Sequence, residues 1–218
     1  MISRSILPTF FTFATLVLFL SSGISLALAD KALPMVLSDQ DWSDLKRIER
    51  YLEDIKTLKG GFLQISSDGG VASGKVFISR PGRMRFEYDP PASILMIADG
   101  IWLIYIDPEL DQVTHIFLNS TPVGFLLSED VKLTGDVTVT KLERTPAILR
   151  LTVQDTEEPE KGSITLVFSD KPLALRKWKI LDSQNIETSV TFTGVQTGIK
   201  LDPELFVYRG NLWLWEKE

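Results

Sequence analysis

Between residues 83 and 88, Met84, Phe86 and Tyr88 alternate with Arg83, Arg85 and Glu87. A period of two gives one dry face and one wet face, the pattern of a half-buried β-strand. Similar runs lie at 62–66, 71–79, 94–98, 101–107, 112–118, 136–142, 148–154, 163–169, 175–181 and 186–196, which makes about eleven strands in all. Turn residues separate them, among them Asp68-Gly69-Gly70, Arg80-Pro81-Gly82, Asp89-Pro90-Pro91, Asp99-Gly100 and Asp170-Lys171-Pro172. Consecutive strands joined by tight turns imply an antiparallel meander, and a sheet of this size must curl or split.

Two segments break the period. Over 38–58 the residues Trp42, Leu45, Ile48, Leu52 and Ile55 recur at helical spacing, with Asp39, Asp41 and Asp44 near the start. This predicts an amphipathic helix with Ser38 as N-cap, acids at the positive end of its dipole, and Gly60-Gly61 as its stop. Between 118 and 135, the stretch Thr121 to Ser128 is apolar but interrupted by Pro122 and Gly124, which predicts a short helix or an apolar loop. A curled sheet has a concave face, and these two segments are the ones available to cover it. The expected fold is mainly β with α: a single curved antiparallel sheet covered by an N-terminal helix and short lid helices.

Composition narrows the setting. Arg4, the apolar stretch 6–20 and Ala27-Leu28-Ala29 follow one another as in a cleavable export signal. The expected division is therefore a signal peptide over 1–29 and a single domain over 30–218. Cysteine is absent, so neither a lipid-bearing Cys nor a disulfide is available, and stability must come from a core. The whole chain carries a net charge of −6; removing Arg4 with the leader leaves 22 basic and 29 acidic residues, which disfavours a nucleic-acid partner.

The inventory for catalysis is poor. With one His and no Cys, a His/Cys metal site cannot be assembled, and no nucleophile elbow, phosphate loop or dinucleotide fingerprint occurs. His115 reads as a strand residue, and Glu157-Glu158 as a solvated turn. No catalytic residue, metal or cofactor is assigned. What remains is bulky apolar surface: Met84, Phe86, Ile94, Met96, Trp102, Ile104, Phe117, Phe125, Leu126, Val190 and Phe192. Composition does not separate a filled core from a lined cavity, and both readings stand at this point.

The segment 74–91, GKVFISRPGRMRFEYDPP, resembles the outer-membrane lipoprotein carrier family, LolA. So do Ile97-Ala98-Asp99-Gly100 with Trp102, Tyr105 and Asp107-Pro108, then Gln112-Val113 leading to Thr121-Pro122. Leu201-Asp202-Pro203-Glu204-Leu205-Phe206 is similar to the family's closing turn, and the helix before Gly61-Phe62-Leu63-Gln64 also fits, so the likeness spans about 42–208. The resemblance implies an unclosed half-barrel whose mouth is covered by helices and which holds acyl chains. It also implies a role for Arg80, the matching arginine, as a latch that ties the lid to the barrel; without the resemblance Arg80 reads as a turn residue left in water.

On strand parity, Val76, Ile78, Met84, Phe86 and Tyr88 are expected to line the cavity, together with Ile94, Met96, Trp102, Ile104 and Phe117, while Phe125 and Leu126 belong to the lid. The implied partners are acylated lipoproteins, an inner-membrane ABC exporter that loads the carrier and an outer-membrane acceptor that relieves it. The implied setting is the periplasm, with only transient membrane proximity, and the carrier is expected to be a monomer. A lipid-sensing periplasmic regulator and a carrier of another amphiphile with the same fold are the alternatives. Trp213 and Trp215 in the tail are open to three readings: an edge strand, a cover for the sheet, or a membrane contact.

Overall fold

The computed structural model describes residues 32–210, so the expected signal peptide and the Trp213/Trp215 tail lie outside the described residues. Helix α1 spans Asp39–Asp54 and begins as its sequence predicts. The Asp41 N–H donates to Ser38 Oγ (3.3 Å), while the Asp41 carboxylate accepts from the Ser38 N–H (2.8 Å) and hydroxyl (2.6 Å). This reciprocal cap satisfies donors that the first turn would otherwise leave open.

Two expectations about α1 are corrected. Gly60 and Gly61 do not stop the helix, which ends at Asp54; both lie inside strand β1, Thr57–Ser66. Trp42 is 43 % exposed, off the apolar face formed by Leu45, Ile48 and Leu52, because the helix instead turns Asp41 and Asp44 inward.

The other strands are β2 (Val71–Ser79), β3 (Arg83–Tyr88), β4 (Leu95–Asp99), β5 (Trp102–Asp107), β6 (Gln112–Phe117), β7 (Val137–Arg144), β8 (Ile148–Asp155), β9 (Gly162–Ser169), β10 (Ala174–Asp182) and β11 (Glu187–Thr197). All pair antiparallel in one eleven-stranded sheet, in the order β6-β5-β4-β3-β2-β1-β11-β10-β9-β8-β7. The sheet curls and does not split. It is not one continuous meander, however: β1 to β6 run out to one edge, and β7 to β11 run from the other edge back to pair β11 with β1.

The connection from β6 to β7 therefore joins the two edges, and β6 and β7 are not paired with each other. Its residues 118–136 hold a 3-10 turn, Leu118–Ser120, and a one-turn helix α2, Gly124–Leu127. The half-barrel is open where the apolar, Pro/Gly-interrupted segment crosses it.

The concave face packs one continuous apolar cluster. Val76 and Ile78 on β2, Met84 and Phe86 on β3, and Leu151, Leu166 and Phe168 on β8 and β9 meet Leu45, Ile48 and Leu52 of α1 there. A smaller cluster of Leu95, Ile97, Ile104 and Ile106 lies on the convex face, with Trp102, Val113 and Tyr208 packed on it. Strands β4 and β5 are thus apolar on both faces, as strands covered on both sides must be.

Candidate functional site

The site is the junction where the β2–β3 turn, the end of α1 and the lid segment meet. After Leu127, the lid chain turns out of α2 and exposes a row of backbone carbonyls. Gly82 N–H donates to Leu127 O (2.6 Å). The Arg80 guanidinium donates to the next two: Nε and Nη2 to Ser128 O (3.1 and 2.8 Å) and Nη2 to Glu129 O (3.1 Å). Its remaining nitrogen, Nη1, reaches the end of α1 at Leu52 O (2.5 Å) and Ile55 O (3.3 Å).

A guanidinium has five donors in a rigid fork, so one residue can hold two chain segments. Helix α1 has no basic residue in its last turn, so Arg80 also supplies the cation that the negative end of its dipole favours. Half-burial pulls the Arg80 pKa down, and the charges of Glu53 and Asp130 push it back.

The Arg-Pro-Gly block is thus a clasp for three successive lid carbonyls. Gly82 sits at φ 74, and a Cβ there would lie 2.7 Å from Gly100 Cα. Gly82→Ala is expected to lose roughly 1–3 kcal/mol in urea unfolding, from left-handed strain and displacement of the Gly100 turn, and to loosen the lid. A loss below about 0.5 kcal/mol would mean that the turn tolerates a side chain there.

Helix α1 is fastened separately. Arg144 at the end of β7 bonds Asp41 Oδ1 (2.6 Å) and Asp44 Oδ2 (2.5 Å), and Arg47 pairs with Asp44 (3.2 Å) and with Asp170. The Leu175 N–H on β10 donates to the Tyr51 hydroxyl (2.9 Å), and the Tyr51 ring meets Phe168 edge-on at 5.8 Å. The lid has one further polar tie to the helix, Leu133 N–H to Glu49 Oε1 (2.8 Å).

The Ser38 hydroxyl, the Ser38 backbone N–H and then Arg144 hold the Asp41 carboxyl at about 2, below its ordinary 3.8. A depressed carboxylate contributes stability that is complete above the unfolded value and fades as pH falls through the folded one. The difference in urea midpoint between wild type and Asp41→Asn is therefore expected to be flat from neutral pH down to about 4 and to shrink toward pH 2. A difference that stays constant down to pH 2 would exclude the assignment.

The structure sorts the residues expected to line the cavity. Val76, Ile78, Met84 and Phe86 are buried on the concave face, with Tyr88 and Met96 partly buried beside them. The Tyr88 hydroxyl donates to Gln64 Oε1 (2.7 Å), and burial, with the Tyr105 charge second, pushes its pKa up to about 12.

Trp102 and Ile104 lie on the opposite, convex face, and Phe117 stacks on Trp102 at 4.1 Å while 58 % exposed. These three placements are corrections. In strand β5 Leu103, not Ile104, faces inward, because Ala98 of β4 pairs with Leu103 and Ile97 with Ile104. Ile94 is half-buried in neither cluster, and its carbonyl accepts from the Tyr88 N–H (2.9 Å).

In the lid, Leu126 is buried in the concave cluster and Phe125 packs against it. The lid also contributes Val123, Leu127, Val131 and Leu133, which hydrophobic periodicity missed because the segment has none. Phe62, Trp178 and Phe192 form the rest of the aromatic floor: Phe62 stands 4.8 Å from Phe86 and 5.0 Å from Tyr88, and Trp178 stands 5.9 Å from Phe86 and 4.9 Å from Phe192. The alternation Lys177-Trp178-Lys179-Ile180 is the signal that places Trp178 on the dry face.

In this conformation the hollow is filled by side chains of the lid and α1. A cavity of about 780 Å³ opens at one seam, between the lid and the β7–β9 edge. Val137, Val153 and Ile164 of the concave cluster form its floor, and Lys132, Asp136, Asp155 and Lys161 stand among its polar rim. Among the described residues no group of three or more His, Cys, Asp or Glu stands where it could hold a metal ion.

The family model described as outer membrane lipoprotein carrier protein LolA matches residues 53–209. An outer-membrane lipoprotein carrier protein of Pseudomonas syringae pv. tomato is 29 % identical over 179 residues, covering 78 % of this chain and 85 % of its own. An uncharacterized protein of Rickettsia prowazekii is 27 % identical over 165 residues, 76 % of each chain. Among solved structures, a LolA superfamily protein from Nitrosomonas europaea covers 75 % of this chain and 97 % of its own, at 9 % identity and a TM-score of 0.45.

Proposed function

We propose that this chain, which belongs to the LolA family of outer membrane lipoprotein carrier proteins, carries acylated lipoproteins across the periplasm with their acyl chains in the concave face of its half-barrel. The observation that carries this reading is the clasp. Arg80 and Gly82 hold three successive carbonyls of a lid whose apolar side chains fill the concavity. The lid is the element free to move, since α1 has its own ion pairs to β7 and the β9–β10 turn.

Opening withdraws Val123, Leu126, Leu127, Val131 and Leu133 from the core. At about 2 kcal/mol for each buried side chain, some 10 kcal/mol of burial is given up, which about a dozen acyl methylenes at about 0.8 kcal/mol each would match. Cargo and lid thus compete for one surface on near-equal terms. Such a carrier holds its load and still yields it to an acceptor that buries the chains better. An inner-membrane ABC exporter is the donor in this reading and an outer-membrane protein the acceptor; the carrier itself performs no chemical step.

The test is mass spectrometry of the protein purified from its native periplasm while the acceptor is depleted. Co-purifying acylated lipoproteins are expected; repeated recovery of empty protein under those conditions would end the carrier reading.

A further inference from the structure

Among the described residues two buried side-chain nitrogens have no hydrogen-bond partner: Arg47 Nε, on a guanidinium already paired with Asp44 and Asp170, and Trp178 Nε1. Trp178 is 3 % exposed and stands inside the apolar concave cluster. A phenylalanine would pack there without burying a donor, and a buried N–H without an acceptor is costly. The nearby Tyr88 hydroxyl, on the same aromatic floor, has its partner in Gln64.

The position of the indole is informative. On β10, Ile180 pairs with Ile164, which floors the seam cavity, and Trp178 pairs with Leu166, the next inward-facing residue of β9. Trp178 therefore lies two residues, about 7 Å, along the strands from the cavity floor. An amphiphile whose polar part rested on the rim at Lys132 and Lys161 would lead its chains past this row toward Phe86 and Phe62. The first atoms of an acyl chain are its carbonyl. Indole is a donor only, so it selects an acceptor and neither a cation nor a second donor.

We propose that Trp178 is a specificity-determining residue for the cargo, its indole N–H donating to the ester or amide carbonyl by which an acyl chain is joined to the carrier's load. This deepens the carrier reading and rests on it. The carbonyl is the one polar group that must pass into the apolar interior with each chain, and Trp178 gives it a partner where the lid, once withdrawn, leaves none.

The experiment compares a synthetic peptide bearing two ester-linked hexadecanoyl chains with its ether-linked dihexadecyl analogue, titrated into wild type and Trp178→Phe. Wild type is expected to bind the ester roughly threefold to tenfold more tightly, the worth of one net hydrogen bond, and Trp178→Phe to bind both alike. In wild type the indole N–H proton of Trp178 is expected to shift downfield with the ester and not with the ether, a readout that does not depend on the variant folding. No ester preference in wild type, or a preference retained in the variant, overturns the proposal while leaving the carrier reading intact. Failure of wild type to bind either lipopeptide overturns the carrier reading, and this inference with it.

Discussion

Arg80→Leu is expected to bind an apolar fluorescent dye more strongly than wild type, with the open population raised about 10- to 100-fold. The guanidinium spans four carbonyl oxygens, two on the lid and two at the end of α1. Hydrogen bonds to a charged group contribute about 1.5–3 kcal/mol, and losing those to Ser128 and Glu129 shifts the lid equilibrium by that order. Leucine fills some of the volume but donates nothing. Arg80→Lys is expected to fall between, since an ammonium is a point charge and cannot fork across two segments. An unchanged dye signal in Arg80→Leu, with circular dichroism also unchanged, would remove Arg80 from the closing of the lid.

Phe86→Ala is expected to lose about 3–5 kcal/mol of stability, on the scale of a deleted core phenylalanine. Its ring is 3 % exposed and touches both Phe62 and Trp178, so the hole cannot close by collapse of one neighbour. For a chain of this size the melting temperature should fall by roughly 10 °C. The variant is also expected to bind the ester lipopeptide differently from wild type, whereas Ile104→Ala, on the convex face, should lower stability without altering lipopeptide affinity. A loss below about 1 kcal/mol for Phe86→Ala would show that the aromatic floor is not packed as described.

The strands were legible because each has a dry and a wet side or ends at a strong turn. Arg83 to Tyr88 shows this most plainly, and its inward row lies where alternation puts it. Strand β5 shows the limit. Trp102-Leu103-Ile104-Tyr105-Ile106 is apolar at every position, and only the pairing of Ala98 with Leu103 decides that Ile104 faces outward. Gly60-Gly61 suggests a helix stop, but both residues pair with β2 inside the sheet, and Gly60 falls where the register toward β11 shifts. The burial of Asp41 and Asp44 has no local sequence signal, because Arg144, which pairs with both, is some hundred residues away in sequence. Only the family likeness points to a latch role for Arg80; periodicity alone leaves it in a turn, since carbonyl acceptors have no signature in a sequence.

The link from β6 to β7 is the single covalent thread between the two ladders, which otherwise meet along β1 and β11 from Leu58 and Thr197 to Ser66 and Thr188. A nick at 129–130 would therefore cut no strand. It would turn one polypeptide into two complementary pieces zipped together along the middle of the sheet, each keeping its own hairpins. On the proposed reading, closure and architecture thus reside in separable parts of the molecule: the crossing segment would be the gate, and the paired strands the wall.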